Sequence, residues 1–413
     1  MQVRQLGIAC FAMLGVLATA SSASASGLWQ PLPMYKASGK PDSAFQALIR
    51  DPANQHYRLI DVDAQQLGRT TAQLSLEVLP GLLLQATRLE SSVSESGNLV
   101  WHGILETSPV FSAQPAAGEV LDDPLNNVTL VREGDLLTGN LRVQGSLFKL
   151  RPLKDGNHML IEVNEDLAPA DHPTDAQVAD GKAARFAMQP AASKANTVIR
   201  VLVHATTAAI NASGSISSLI DLAVAEANQS YANSGVSITL QLAGKYSIAY
   251  TESGSFNTDL TRYRGTTDGY MDSIHSTRNS RTADVAVLFI NNSSSCGLAS
   301  AIGASATTAF AAVHWDCATG YYSFGHEIGH LQAARHDPAN DPTNTPYAYG
   351  HGYQFAAGGW RTVMAYNCST GCTRINYWSN PSRSYGGNPM GTSTRNNNAR
   401  VLNNTRATIA GFR

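Results

Sequence analysis

The stretch His326-Glu-Ile-Gly-His330-Leu-Gln-Ala-Ala-Arg-His336-Asp337 decides how this chain is read. His326 and His330 stand four apart, so on a helix both imidazoles leave one face and can share a metal ion. Glu327 lies beside them, placed to hold a water rather than the ion. His336 comes six residues after His330, too far round to share that face. The helix must therefore stop soon after Leu331, and the chain must turn back for His336 to join. Three neutral imidazoles plus water is the open coordination of a catalytic zinc site, whereas a structural site is closed by a fourth protein ligand. The competing reading is a surface helix carrying two solvated histidines.

Working outward, the chain opens Met1-Gln-Val-Arg-Gln5, continues without charge to Ala20, and reaches Ser21-Ser-Ala-Ser-Ala25. A short positive region, an apolar region and a small-residue cleavage site describe a secretory signal peptide over residues 1–25. The apolar part is too short to span a bilayer. Cys10 does not sit in a lipoprotein context, because too little apolar chain precedes it. An exported protein is expected. Past the signal, four cysteines remain: Cys296, Cys317, Cys368 and Cys372. An even number in an exported chain argues for two disulfides. Three pairings are possible, and proximity favours Cys296 with Cys317 and Cys368 with Cys372. Zinc ligation by Cys368 and Cys372 would lack a second ligand pair. The formal net charge of −2 selects no partner by itself.

The mature length is too great for one typical domain. Short apolar runs separated by turn residues fill residues 28–163: Leu74-Ser-Leu-Glu-Val-Leu79, Leu99-Val-Trp-His-Gly-Ile-Leu105, Val128-Thr-Leu-Val131 and Leu141-Arg-Val-Gln-Gly-Ser-Leu-Phe-Lys-Leu150. This is a mainly antiparallel β pattern. Ala, Pro and Asp dominate residues 166–196, as in a protease-accessible linker. Beyond it, Val198-Ile-Arg-Val-Leu-Val203 and Val236-Ser-Ile-Thr-Leu-Gln-Leu242 read as strands around a helix that carries Ile216, Leu219, Ile220, Ala223 and Ala227 and ends at Ser234-Gly235. Residues 260–278 look helical, 284–290 form a buried strand, and two β-prone runs at 298–302 and 310–315 precede a metal helix over about 319–332. A mixed sheet with packed helices, in the α+β class, fits this order.

From residue 197 to the end the chain resembles reprolysin-like metzincins, and more closely the bacterial peptidyl-Asp metalloendopeptidase group. The resemblance rests on Ala283-Asp-Val-Ala-Val287, Cys296-Gly-Leu-Ala299, Cys317 ahead of Phe324-Gly-His-Glu-Ile-Gly-His330, Val363-Met-Ala-Tyr366, Tyr377-Trp-Ser-Asn-Pro381 and Ile409-Ala-Gly-Phe-Arg413. It implies a metzincin catalytic domain over 197–413, with a twisted mixed sheet, a zinc helix and a Met-turn. Ahead of it the resemblance implies a β-rich propeptide over 26–165 and a linker over 166–196 holding the maturation site. His326, His330 and His336 would ligate Zn2+, with Glu327 as general base. Met364 would underlie the histidines, and Tyr366 would stand near the zinc or be a buried structural tyrosine. The chain departs from the pattern at Ala333, where the family has glycine to ease the turn out of the helix; an alanine forced to positive φ costs about 1 kcal/mol. Residues 26–196 contain no cysteine, so a cysteine switch is excluded. A linker carboxylate (Asp166, Asp171, Asp175 or Asp180) could block zinc instead, or the propeptide could simply cover the site.

Residues 361–413 carry seven arginines and no acidic residue. A cationic pocket there would favour Asp or Glu just after the cleaved bond, since arginine grips a carboxylate bidentately. Arg374 and Arg383 are the substrate-binding candidates; the alternative is solvated arginines balanced elsewhere. Extended substrate should pair with the edge strand before the zinc helix. The function expected is a secreted zinc endopeptidase, made latent and inhibited by its own propeptide. It would act as a monomer on proteins or peptides, without nucleic acid or membrane. The alternative is a catalytically weak, secreted binding protein of the same fold. An arginine-rich nucleic-acid patch is disfavoured because the end has no lysine and no recognisable binding motif.

Overall fold

The computed structural model describes residues 27–33, 42–108, 116–173 and 196–413. The expected signal peptide, most of the linker, and Asp175 and Asp180 with it, lie outside the described residues.

The first half is β-rich, as its alternating apolar runs require. In chain order it comprises β1 (Trp29–Pro31), α1 (Ser43–Arg50), β2 (Asn54–Val62), β3 (Gln73–Leu79), β4 (Leu82–Val93), β5 (Leu99–Leu105), β6 (Asn127–Glu133), β7 (Leu136–Val143), β8 (Ser146–Pro152) and β9 (His158–Val163). Its nine strands form one antiparallel sheet, ordered β1-β2-β9-β8-β7-β6-β5-β4-β3. The run at 141–150 is therefore two strands rather than one. Gln144 (φ 49°) and Gly145 (φ 90°) turn it back, the positive pair that a tight hairpin prefers. The sheet curls until its ends meet: Leu28 N–H donates to Ser75 O on β3 at 2.9 Å, and Trp29 Nε1 donates to Glu77 O at 3.0 Å. Leu76, Trp101, Leu130, Leu141 and Leu150 fill the interior.

The second half follows the predicted order: β10 (Thr197–Thr206), α2 (Thr207–Ala212), α3 (Ile216–Asn233), β11 (Ile238–Ile248), α4 (Phe256–Arg264), α5 (Ile274–Ser280), β12 (Val285–Ile290), β13 (Gly297–Ala299), β14 (Phe310–His314) and α6 (Ser323–Leu331). Ser215 caps α3 by accepting from Ser218 N–H, and Gly235 at φ 69° ends it. The helix expected over 260–278 is two, because Gly265 caps α4 and the chain turns before α5. The five strands order as β11-β10-β12-β14-β13; all pairs are parallel except β13–β14. Strand β14, just before α6, is therefore internal. The edge is β13.

A smaller C-terminal part holds β15 (Gln354–Phe355), β16 (Trp360–Arg361), β17 (Thr373–Arg374), β18 (Asn380–Tyr385), β19 (Asn388–Met390) and α7 (Asn398–Ile409). Disulfides join Cys296 to Cys317 and Cys368 to Cys372, the pairing favoured by proximity. Among the described residues no helix is long and apolar enough to cross a membrane.

The two halves share a core. Leu147, Met159 and Ile161 of the first sheet pack in one cluster with Ile199, Leu219 and Phe324. Buried polar pairs pin this contact: Thr138 Oγ1 to Ser218 Oγ at 2.6 Å, and Asn140 Nδ2 to Glu226 Oε1 at 2.5 Å. Lys149 Nζ lies 3.0 Å from Asp316 Oδ2 in a buried ion pair. Burial alone would raise the Asp316 carboxyl, but Lys149 and Arg151 outweigh it and hold the carboxyl well below its ordinary range.

Helix α6 is shorter than the expected 319–332 and ends at Leu331. The chain leaves it through Ala333 at φ 73°, so the alanine does adopt the left-handed conformation that glycine takes freely. Replacing Ala333 by Gly relieves about 1 kcal/mol of strain and loses roughly 0.8 kcal/mol from one buried methyl. Thermal unfolding of Ala333→Gly should therefore stay within about 3 °C of the parent. Ala333→Val, β-branched at positive φ, should melt well below both; a parental midpoint for the valine variant would refute the strain.

Candidate active site

Helix α6 presents His326 and His330 from one face, and the turn through Ala333 returns His336 to them. The three Nε2 atoms converge: 3.1 Å between His326 and His330, 3.0 Å between His330 and His336, and 3.2 Å between His326 and His336. Nδ1 of His326 faces Val363 O at 3.0 Å, and Nδ1 of His330 faces Ala334 O at 2.9 Å. A carbonyl only accepts, so each Nδ1 carries the proton and each Nε2 turns a lone pair inward. Burial, with repulsion from neighbouring imidazoles, holds all three well below their ordinary pKa, hence neutral. Two inward lone pairs and a third imidazole nitrogen converging on one point favour a cation there. Nitrogen ligands about 2.05 Å from a tetrahedral ion stand about 3.3 Å apart, close to what is found. The donor set fits a metal.

Glu327 points to the same place and is fully buried. Burial raises its carboxyl, which neighbouring His172 partly offsets. Its Oε2 has no hydrogen-bond partner among the described residues. Its position requires glycine at 297 on the edge strand, since a Cβ there would lie 2.4 Å from Glu327 Oε1. Beneath α6, Gly329 leaves room for Met364 and Trp378: a Cβ would stand 3.2 Å from Met364 Sδ and 2.5 Å from the Trp378 ring. Tyr366 packs its ring 4.4 Å from that of His336, and its N–H donates to Asp337 Oδ1 at 2.9 Å.

Of the two candidate arginines, only Arg374 is here. It is 1% exposed, donates to Tyr321 O and Ala365 O, both at 3.3 Å, and lies 4.4 Å over the Tyr321 ring. Arg383 packs instead beside Gly235 at the end of α3. Beside Arg374 stands Arg361, its partner in parallel register across β16 and β17. Arg361, also 1% exposed, donates to Cys372 O at 3.1 Å and Tyr321 Oη at 3.1 Å. Two guanidiniums thus line one buried wall. The only carboxylate in ion-pair contact with Arg374 among the described residues is Asp171, at 2.5 Å. Burial would raise the Asp171 carboxyl, but Arg374 and Arg361 bring it down to about 2.

Asp171 belongs to the expected linker, whose described part lies across the cleft. Cys296 N–H donates to Ala170 O at 2.8 Å and Gly297 N–H to Asp171 O at 3.0 Å, so this segment occupies the sheet edge. Asp166 accepts from Asn367 Nδ2 at 3.1 Å, outside the histidine cluster. No linker carboxylate joins the three imidazoles among the described residues. The residue that does is His172, and the four histidines form a group able to hold a metal ion. Sequence reasoning missed it by weighing only cysteine and carboxylates, although His172 is the one histidine in residues 166–196.

Comparison with known proteins gives the family. Residues 195–379 match the Reprolysin_5 profile, described as Metallo-peptidase family M12. The chain is 50% identical over 420 residues to a peptidyl-Asp metalloendopeptidase of Stenotrophomonas maltophilia, covering 99% of both chains. It is 48% identical over 408 residues to that of Xanthomonas campestris pv. campestris, covering 95% of this chain and 96% of the relative. A Pseudomonas fragi protein of the same description is 50% identical over 189 residues, 46% of this chain and all of the relative. Among solved structures, metalloproteinase-II from Bacteroides fragilis aligns at 13% identity with a TM-score of 0.41, over 72% of this chain and 87% of that one. With half of its residues shared along almost its whole length, the chain belongs to the peptidyl-Asp metalloendopeptidases, reprolysin-like enzymes that use a metal to hydrolyse proteins or peptides.

Proposed function

We propose that this protein is an exported zinc endopeptidase that cleaves on the amino side of aspartate and is made as a latent precursor. The signal peptide is residues 1–25, the propeptide 26–165 and the processed linker 166–196, leaving a catalytic domain of 197–413 that acts as a monomer. One observation carries the specificity: Arg374 is a buried cation whose ion-pair contact comes from a segment outside the catalytic domain. When that segment leaves, an unpaired guanidinium remains in a low-dielectric wall. Such a charge strongly favours a new carboxylate. An aspartate of the substrate satisfies it in the same position. Glutamate, one methylene longer, would have to displace a guanidinium held by Tyr321 O and Ala365 O.

His326, His330 and His336 would hold the zinc, which when bound polarises the scissile carbonyl and acidifies a water. Glu327 Oε2, buried and unpartnered, accepts the proton of the attacking water and can return it to the leaving amine. The burial that raises the Glu327 carboxyl suits it to both tasks. Tyr366, against His336, stands where its hydroxyl can donate to the developing oxyanion. The β13 edge, where Cys296 and Gly297 N–H groups hold the linker, would pair with substrate backbone in a shifted register that leaves the carbonyl before its aspartate facing the metal.

Glu327→Gln should retain one metal per chain and lose roughly 10²- to 10⁴-fold in hydrolysis. Near-parental turnover with bound metal would remove Glu327 from its role. For specificity, kcat/KM on peptide pairs differing only as Asp or Asn after the cleaved bond should favour Asp. In processed Arg374→Gln that ratio should collapse by about 10- to 100-fold, the worth of a charged hydrogen bond. An unchanged ratio would exclude Arg374 as the selector.

A further inference from the structure

Resting on the zinc reading above, we propose that the precursor's metal site is closed by its own linker: His172 supplies a fourth nitrogen beside His326, His330 and His336, and Asp171 fills the arginine pocket. Residues 168–173 then lie in the cleft as an uncleavable pseudosubstrate.

The geometry brings His172 against the three-histidine cluster, at ring distances like those within it. Its ring centroid lies 5.4, 5.0 and 4.7 Å from those of His326, His330 and His336. Those three are 4.8, 5.2 and 4.6 Å from one another. One candidate ligand atom from each of the four falls within 4.8 Å of the others. The His172 side chain is only 8% exposed, and its Nε2 stands 3.2 Å from Glu327 Oε1. A single imidazole therefore borders both the three converging nitrogens and the general base, with its Nδ1 3.5 Å from Tyr366 Oη. Three protein nitrogens leave a tetrahedral ion one open position for chemistry; a fourth makes the closed set of a structural site.

The rest of the segment holds that imidazole in place. Pro169 and Pro173 bias Ala168 and His172 to extended backbone, the form that pairs with a strand. Ala170 O and Asp171 O are tied to Cys296 and Gly297 N–H, and Asp171 is anchored on Arg374. The carbonyl of the bond preceding Asp171, the one an aspartate-directed enzyme would cut, is Ala170 O. It is engaged by Cys296 N–H, while the histidines receive the next side chain along. The segment thus takes the subsite of a substrate in a register that offers no scissile carbonyl.

The test uses the full-length precursor carrying Glu327→Gln, which keeps the chain intact, loaded with Co2+ and followed by its visible absorption. With four imidazoles the spectrum should not respond to azide. Adding His172→Ala or His172→Gln should open a position, so that azide shifts the spectrum and a competing chelator strips the metal at least tenfold faster. With Glu327 restored, His172→Ala precursor should hydrolyse an Asp-containing peptide at least tenfold faster than the parent precursor before any processing. Equal azide responses with and without His172 would overturn the latch, even if processed enzyme is fully active. The expected spectra without hydrolysis by either precursor or processed enzyme would uphold the latch and overturn the endopeptidase reading instead.

Discussion

Three imidazole nitrogens brought within 3.2 Å of one another are the constraint around which the second half is built. Lone pairs repel at that distance, so the surrounding chain must hold them until a cation is present. It does so with local, rigid devices. Two Nδ1 protons are spent on the carbonyls of Val363 and Ala334, which sets tautomer and ring orientation together. Gly329 and Gly297 remove side chains where α6 settles on Met364 and Trp378 and where Glu327 meets the edge strand. Ala333 accepts a left-handed backbone so that His336 can return. Strain at that one residue sits where it serves the site, inside a core that over-determines it.

The second constraint is charge. Burying Arg361 and Arg374 against Tyr321 makes a wall that is unfavourable unless a carboxylate faces it. Asp171 meets that need in the full-length chain, where the two guanidiniums hold its carboxyl below the ordinary range although burial would raise it. On the reading proposed above, the same physics would give both a selective pocket and a latch, because whatever leaves the wall must be replaced.

The first half is more than a cover. Its sheet contributes apolar side chains to the core that also holds α3 and α6, and its Lys149 and Arg151 neutralise Asp316 at the far side of the contact. This explains how a segment as short as 168–173 can be held in register at the cleft: β9 ends at Val163, a few residues upstream, so the anchoring sheet delivers the segment to the edge strand.

Much of this was legible in the chain alone. The spacing of His326, His330 and His336, the end of the helix near Leu331, the strands around 198–203, 236–242 and 284–290 and the disulfide pairing follow from neighbours along the chain, whose periodicity and turn chemistry are local; the turn at Ala333 is expected from the family resemblance. The hairpin at Gln144-Gly145 and the break at Gly265 were also local signals, hidden inside longer apolar or helical patterns. What only the tertiary structure decided is which distant groups converge. Arg374 rather than Arg383 faces the cleft, with Arg361 beside it, because β16 and β17 pair in parallel. Strand β13 is the edge because β14 inserts between it and β12. Asp171 meets Arg374 across 203 residues and His172 meets Glu327 across 155. No local period encodes such separations, since they are set by the order in which strands join a sheet and by the burial that makes an unpaired charge intolerable.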